Sequence, residues 1–267
     1  MGANMKQINQ ADQQLARQAI GLLDLTSLSN DDDAERVISL CQRALTPFGP
    51  VAAVCVFPRF VTLARKTLDR LGASAIRVAT VVNFPYGGPN VASAVSETEA
   101  VLKAGANEVD LVYPYRSLLM GDTQTGKTMV SACRELCAGR ARLKVILETG
   151  ELRDPQMIRQ ASQDAIAAGA DFLKTSTGKV LINATEQAAR IMLEAIAERG
   201  GLVGLKAAGG IRTFDDARTY IDLAKARFGA DWVDADHLRL GASGLLDELL
   251  AQLEWSAAPP TKRRGRK

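Results

Sequence analysis

The sequence predicts an α/β fold, a single-domain (β/α)8 barrel, on three observations. Short apolar, β-branched runs alternate with longer Ala-rich amphipathic stretches along the chain. The runs are apolar throughout, as suits strands buried on both faces of a parallel sheet. There are eight of them in 267 residues, the size of a barrel that typically takes ~250 residues. A doubly wound open sheet shares the alternation and is the competing architecture. The count of eight favours closure into a TIM barrel.

The predicted strands cover Ile20–Leu25, Val51–Phe57, Ile76–Phe84, Glu108–Tyr113, Leu143–Thr149, Asp171–Lys174, Leu202–Lys206 and Leu238–Gly241. Helices fill the intervals. Ser29, Asn30 and Asp31 offer caps before a helix over Ala34–Leu45, Thr185 precedes one over Glu186–Glu198, and Thr213 precedes one over Phe214–Phe228. Gly72, Gly105, Gly169, Gly200 and Gly229 stand where helices should stop. A short phrase recurs at three of these stops: AGAN at 104–107, AGAD at 168–171 and FGAD at 228–231. Such an echo is expected of repeated βα units. The barrel domain is placed over residues 1–256, and a basic tail over 257–267.

Composition removes several classes. A hydrophobic fraction of 47% with 24% charged residues is that of a soluble globular chain and excludes extensive disorder. No apolar run reaches the ~18 residues of a membrane span, and the start lacks a secretory signal, so a cytoplasmic protein is expected. Thirty-three basic residues face thirty acidic ones, but five of the basic ones lie in the final KRRGRK. The body is therefore slightly acidic, and a nucleic-acid partner is not expected. Cys41, Cys55, Cys133 and Cys137 are expected to be reduced. The single histidine, His237, precludes a multi-His zinc site and is read as a packing residue at the end of the barrel opposite the active site.

In a barrel of this kind the active site lies at the C-terminal ends of the strands. Lys174 and Lys206 end two adjacent predicted strands between apolar neighbours, where lysine is uncommon. Burial disfavours an ammonium, and a second ammonium nearby disfavours it further. A neutral amine is the form that attacks a carbonyl to give a Schiff base. Asp110, in the apolar EVDLV run, is the natural partner of both lysines and a candidate for proton transfer. Glu148 is read as structural and Cys55 as a core residue. The AAGGIR and LGASG segments place Gly209, Gly210, Gly241, Ser243 and Gly244 after strands seven and eight, the usual phosphate-binding corner of these barrels. Arg212 adds charge there or points outward.

These segments carry a resemblance that covers about residues 20–250. LLDLT (22–26), VCVFPRF (54–60), NFP (83–85), ANEVDLVYPYR (106–116), LETGEL (147–152), GADFLKTSTGK (169–179), KAAGGIR (206–212) and FGADW (228–232) resemble the deoxyribose-phosphate aldolase family, in its longer bacterial type. The resemblance implies a class I aldolase that reversibly cleaves 2-deoxy-D-ribose 5-phosphate to D-glyceraldehyde 3-phosphate and acetaldehyde, in deoxynucleoside catabolism. It implies Lys174 as the Schiff-base lysine, Lys206 as the lysine that perturbs it, and Asp110 as proton donor and acceptor. It places Asp24, Thr177 and Lys179 near the substrate hydroxyls. Gly178, Gly209, Gly210, Gly241 and Ser243 fall at the phosphate end. No cofactor and no metal are implied, and a homodimer is. Three positions depart from the pattern. Ala207 follows Lys206 where that type has Pro. Gly244 replaces a second Ser, which implies weaker phosphate binding. The chain ends in KRRGRK where some relatives end in a Tyr that reaches the site.

Another Schiff-base lyase would share the lysine pair. A non-catalytic sugar-phosphate sensor would keep the glycine loops and need no reactive amine.

Overall fold

Residues 10–257 are described by a computed structural model of the chain. Eight parallel strands close into a barrel: β1 (Leu23–Ser27), β2 (Ala53–Val56), β3 (Arg77–Val82), β4 (Glu108–Val112), β5 (Arg142–Ile146), β6 (Phe172–Lys174), β7 (Gly204–Ala208) and β8 (Leu238–Ala242). Closure is made by β1, which pairs with β8 through Leu23↔Leu240 and with β2 through Asp24↔Ala53. A two-residue ribbon, Leu45–Thr46 against Gly49–Pro50, stands apart. The helices are α1 (Gln10–Gly21), α2 (Ala34–Arg43), α3 (Val61–Arg70), α4 (Val91–Lys103), α5 (Tyr115–Leu119), α6 (Gln124–Cys137), α7 (Thr149–Leu152), α8 (Pro155–Ala167), α9 (Glu186–Ala197), α10 (Phe214–Phe228) and α11 (Leu245–Ala257). Among the described residues no helix is long and apolar enough to cross a membrane. The helix α11 reaches Ala257; the rest of the basic tail lies outside the described residues.

The predicted boundaries hold in places and shift in others. Thr185 and Thr213 cap α9 and α10 as their sequences promise, the second in a reciprocal capping box with Asp216. The cap of α2 is Asp33, which accepts from Arg36 N at 2.8 Å, and not the Ser29–Asp31 group. Asp32 is instead drawn inward, accepting from Ser27 Oγ and Ser29 N, and so shapes the loop after β1. The first strand starts at Leu23, because Ala16, Ala19 and Ile20 form the buried face of α1. A helical stripe there runs directly into a strand, and the joined apolar run hides the join. The expected strand over Leu143–Thr149 ends at Ile146, with Thr149 already opening α7. Short α5 and α7 carry too little periodicity to be visible in the sequence.

The recurrent AGAN and AGAD phrases have a physical use. Asn107 Oδ1 accepts Val78 N at 2.9 Å, and Asp171 Oδ2 accepts Leu143 N at 2.7 Å. Each side chain thus holds the first residues of the neighbouring strand. Gly105 and Gly169 before them have φ +101° and +97°, which a residue with a Cβ rarely adopts.

Two layers of packing follow from the period-two alternation of strands. Outward-facing aliphatics such as Val109, Leu111, Leu173, Leu205, Ala207 and Leu240 join the core between sheet and helices. The inward positions are different. On β2 and β3 they are the small apolar group Ala53, Cys55, Ala79 and Val81. On the other strands they carry charge. At the floor the Phe172 ring fills the barrel, with Arg239 at 5.6 Å on one contact and Arg142 at 5.8 Å on another. Gly204 makes that possible, since a Cβ there would lie 2.3 Å from the ring.

Candidate active site

A cavity of about 510 Å³ opens at the C-terminal ends of the strands. The loop after β6 supplies Thr177, Gly178 and Lys179 to its wall, the loop after β7 Gly209 and Gly210, and the end of β8 Gly241 with Ser243 beyond it. Lys174 and Lys206 form its base. Its charged lining, among the described residues, is Lys174, Lys179, Lys206 and Arg212, with no carboxylate. A cavity of this size and sign suits a small anionic molecule.

The two lysines stand side by side because β6 and β7 pair with Lys174 opposite Lys206. Both are buried, at 3% and 0% exposure. Lys174 Nζ and Lys206 Nζ each donate to the same oxygen, Asp110 Oδ2, at 2.8 Å. Neither lysine extends to solvent. Lys206 also reaches Asp24 Oδ2 at 2.5 Å, whereas Lys174 has no other carboxylate within ion-pair distance among the described residues. Gly241 on β8 leaves room for this: a Cβ there would lie 3.0 Å from Lys206 Cε.

The environments drive the two amines apart. Burial lowers the Lys174 pKa; Asp110 pulls it up, and the Lys206 ammonium pushes it down again, leaving it below its ordinary value. Burial acts the same way on Lys206, but Asp110 and Asp24 together outweigh it and raise its pKa. Lys206 is therefore the permanent ammonium and Lys174 the amine able to lose its proton. For Asp110, burial is overcome by Lys144, Lys174 and Lys206, which hold its carboxyl well below the usual range.

A second tier lies beneath, and sequence reasoning did not assign it. Lys144 on β5 donates to Asp110 Oδ1 at 2.7 Å and pairs with Glu108 at 2.6 Å. Arg239 on β8 donates to Asp24 Oδ1 at 2.6 Å and to both oxygens of Glu108, at 2.8 and 3.2 Å. All of these side chains are fully or almost fully buried. The signal was present: Lys144 and Arg239 are each flanked by aliphatics within a barrel strand, and Glu108 lies two residues before Asp110 on the same face. Those neighbours take the outward face, so the charge must point inward.

Some expected placements change. Asp24 lies within β1 as its predicted strand has it, and Gly241 lies within β8 rather than after it, because the ladder continues to Leu25↔Ala242. Asp24 is consequently buried between Lys206 and Arg239, below the cavity rather than on its wall. Lys206 lies mid-strand, since β7 runs on to Ala208. Thr177 Oγ1 donates to Glu148 Oε2 at 2.5 Å and accepts from Lys179 N. Lys179 Nζ spans the mouth to Leu28 O at 2.6 Å. Asp216 takes the N–H groups of Arg212 and Thr213, so the donors left at this corner are those of the glycine loops. Arg212 is exposed on the rim. Ala207 faces the outer core. Glu148 adopts a left-handed backbone with φ +56°, and burial pushes its carboxyl up. Cys55 is buried, with its thiol pushed up by burial, and His237 packs on Trp232 and bonds Asp234 near the floor.

Comparison with known proteins agrees with the barrel fold. The model of the DeoC/LacD family aldolases matches residues 18–249. A solved structure from Coccidioides immitis, provisionally named a deoxyribose-phosphate aldolase, is similar at 30% identity and a TM-score of 0.77, over 88% of this chain and 86% of that one. A second, provisionally named likewise, from Toxoplasma gondii ME49, matches at 26% identity and a TM-score of 0.84, over 92% and 99%. The tetrameric deoxyribose phosphate aldolase of Aeropyrum pernix matches at 25% identity and a TM-score of 0.73, over 92% and 99%.

Proposed function

The chain belongs to the DeoC/LacD aldolase family, and from that premise we propose that it is a Schiff-base aldolase cleaving 2-deoxy-D-ribose 5-phosphate. The observation that carries the reading is the position of Lys174. It is a buried amine with one shared carboxylate contact, at the base of a cavity whose charged residues are all cationic.

Neutral Lys174 adds to the C1 aldehyde of the open-chain sugar, and loss of water gives an iminium. The iminium accepts the electron pair of the C2–C3 bond as the 3-hydroxyl loses its proton to the Asp110 carboxylate. D-Glyceraldehyde 3-phosphate departs, leaving an enamine on Lys174. Asp110, which bridges both amines, then passes that proton to the enamine carbon, with the Lys206 ammonium held beside it. Hydrolysis of the resulting iminium releases acetaldehyde and restores the amine. The loops at Gly178, Gly209, Gly210 and Ser243 bind the phosphate end, where glycine permits close approach of backbone N–H groups, and Lys179 lies by the substrate hydroxyls.

Borohydride reduction in the presence of acetaldehyde, followed by peptide mass mapping, tests this reading. A two-carbon adduct on Lys174 is expected; its absence there refutes the assignment. Deoxyribose without phosphate should turn over far more slowly than the 5-phosphate; equal rates would remove the phosphate from the reading. A homodimer belongs to the same proposal, and light scattering decides between it and a tetramer like that of the Aeropyrum relative.

A further inference from the structure

The charged groups inside the barrel do not balance. From β1 to β8 they are, among the described residues, Asp24, Glu108, Asp110, Lys144, Lys174, Lys206 and Arg239: three carboxylates against four cations. The other titratable groups facing them are Cys55, whose thiol is kept protonated by burial, and two at the margins. Arg77 lies 3.6 Å from Glu108, but its guanidinium is partly exposed and pairs with Asp236. Glu148, on the mouth side, bonds Thr177 and makes no ion pair among the described residues.

The contacts are shared unequally. Arg239 binds two carboxylates through three hydrogen bonds. Lys144 contacts Glu108 and Asp110 closely and Asp24 at 3.6 Å, and Lys206 contacts Asp24 and Asp110. Among the described residues Lys174 has only one carboxylate oxygen, already shared with Lys206. With three carboxylates for four cations, the group that gives up a proton is the one with fewest contacts. Arginine cannot be that group, because a guanidinium does not deprotonate in proteins. We propose that Arg239, on the barrel floor and outside the cavity, is a positioning residue that makes Lys174 the surplus cation of the cluster. By holding Asp24 and Glu108 permanently, it leaves too few carboxylates to keep Lys174 charged. The proposal rests on the aldolase reading only for its consequence in catalysis; the ionisation of Lys174 is measurable without it.

The experiment is competitive labelling of Lys174 with acetic anhydride as a function of pH, mapped by peptide mass, in the full chain. The midpoint belongs to the folded molecules and does not depend on how much protein folds. R239M leaves three cations on three carboxylates, and the Lys174 midpoint should rise by about one pH unit or more. E108Q leaves four cations on two carboxylates, and the midpoint should fall. The double variant R239M/E108Q restores a surplus of one, and the midpoint should return toward wild type. R239K, which keeps the charge, should stay near wild type. If one single variant fails to fold, the ordering of the remaining ones still decides. A midpoint unmoved in R239M, or one that the second substitution does not bring back, overturns the proposal. Should wild type fail to trap acetaldehyde while the midpoints move in this order, the aldolase reading falls and the role of Arg239 stands.

Discussion

The barrel floor and its mouth use the same residue types in opposite ways. At the floor, Arg239, Glu108 and Lys144 are buried and matched contact for contact. At the mouth, Lys179 and Arg212 face a cavity with no carboxylate on its wall among the described residues. Removing a charge from water costs several kcal/mol per ion, so charges at depth persist only when paired. Near the mouth a cation stays hydrated and remains available to a ligand. Depth decides whether a charge holds the protein or holds its substrate. Lys174 lies at the boundary, buried like the floor but poorly paired.

The sharpest test of that boundary is Lys174→Leu. Trapping and turnover should disappear, a loss of at least about a thousandfold, as for removal of any covalent nucleophile. Its effect on stability should be small, because the Asp110 oxygen it leaves is still bonded to Lys206. A chemical melt that shifts as far as that of a floor variant would erase the distinction between floor and boundary.

Lys206→Leu should come next. It removes the ammonium that opposes protonation of Lys174 and leaves Asp110 Oδ2 to Lys174, with Lys144 still on Oδ1. Borohydride trapping at pH 7 should slow by about ten- to a hundredfold, with recovery at higher pH. An unchanged rate and pH profile would break the paired-lysine account.

One substitution at two depths sharpens the comparison further. Glu108→Gln strands Lys144 and Arg239 and should cost about 3–5 kcal/mol, the usual penalty for breaking a buried pair. Glu148→Gln keeps an acceptor for Thr177 and should be neutral or stabilising at pH 7. The pH dependences have opposite signs. Lys144 and Arg239 outweigh burial to lower the Glu108 pKa, so its contribution is present above the unfolded value near 4.5 and lost as pH falls through the folded one. Burial raises the Glu148 pKa, so stability declines as pH climbs from about 4.5 through the folded value. Thermal melts of both variants between pH 4 and 8 separate the two. Equal losses would mean that depth does not set the role.

The same contrast explains what could be read from the chain. Lys174, Lys206 and the loops at Gly209 and Ser243 were legible because they end predicted strands, and the end of a strand is where barrels do chemistry. Arg239, Glu108 and Lys144 follow from the same rule of inward-facing charge, but they lie at the start or middle of their strands, away from the C-terminal ends. Recognising them requires the register that sets Asp110 beside Lys144 and Lys206 beside Arg239. Register is a property of the assembled sheet and is not written in any one strand. Asp24 shows the difference in a single residue: its sequence context gave the strand, and only closure onto β8 gave its partner.

The smallest effect is expected at the mouth, at Gly244. A Cβ there would meet no atom within 4 Å, and its backbone lies outside the left-handed region. Serine should therefore enter without strain, between Ser243 and the start of α11. Its hydroxyl would add one donor to the cavity wall beside a helix N-terminus, where a phosphate is favoured. One additional hydrogen bond at a solvated mouth contributes about 0.5–1.5 kcal/mol net. Gly244→Ser should then lower KM for the 5-phosphate by about two- to tenfold, with kcat little changed and with no effect on the unphosphorylated sugar. A gain shared by both sugars would place the hydroxyl away from the phosphate. A fall in kcat would mean that this corner of the mouth governs the chemistry at Lys174 as well as binding, against the separation of roles that depth otherwise produces.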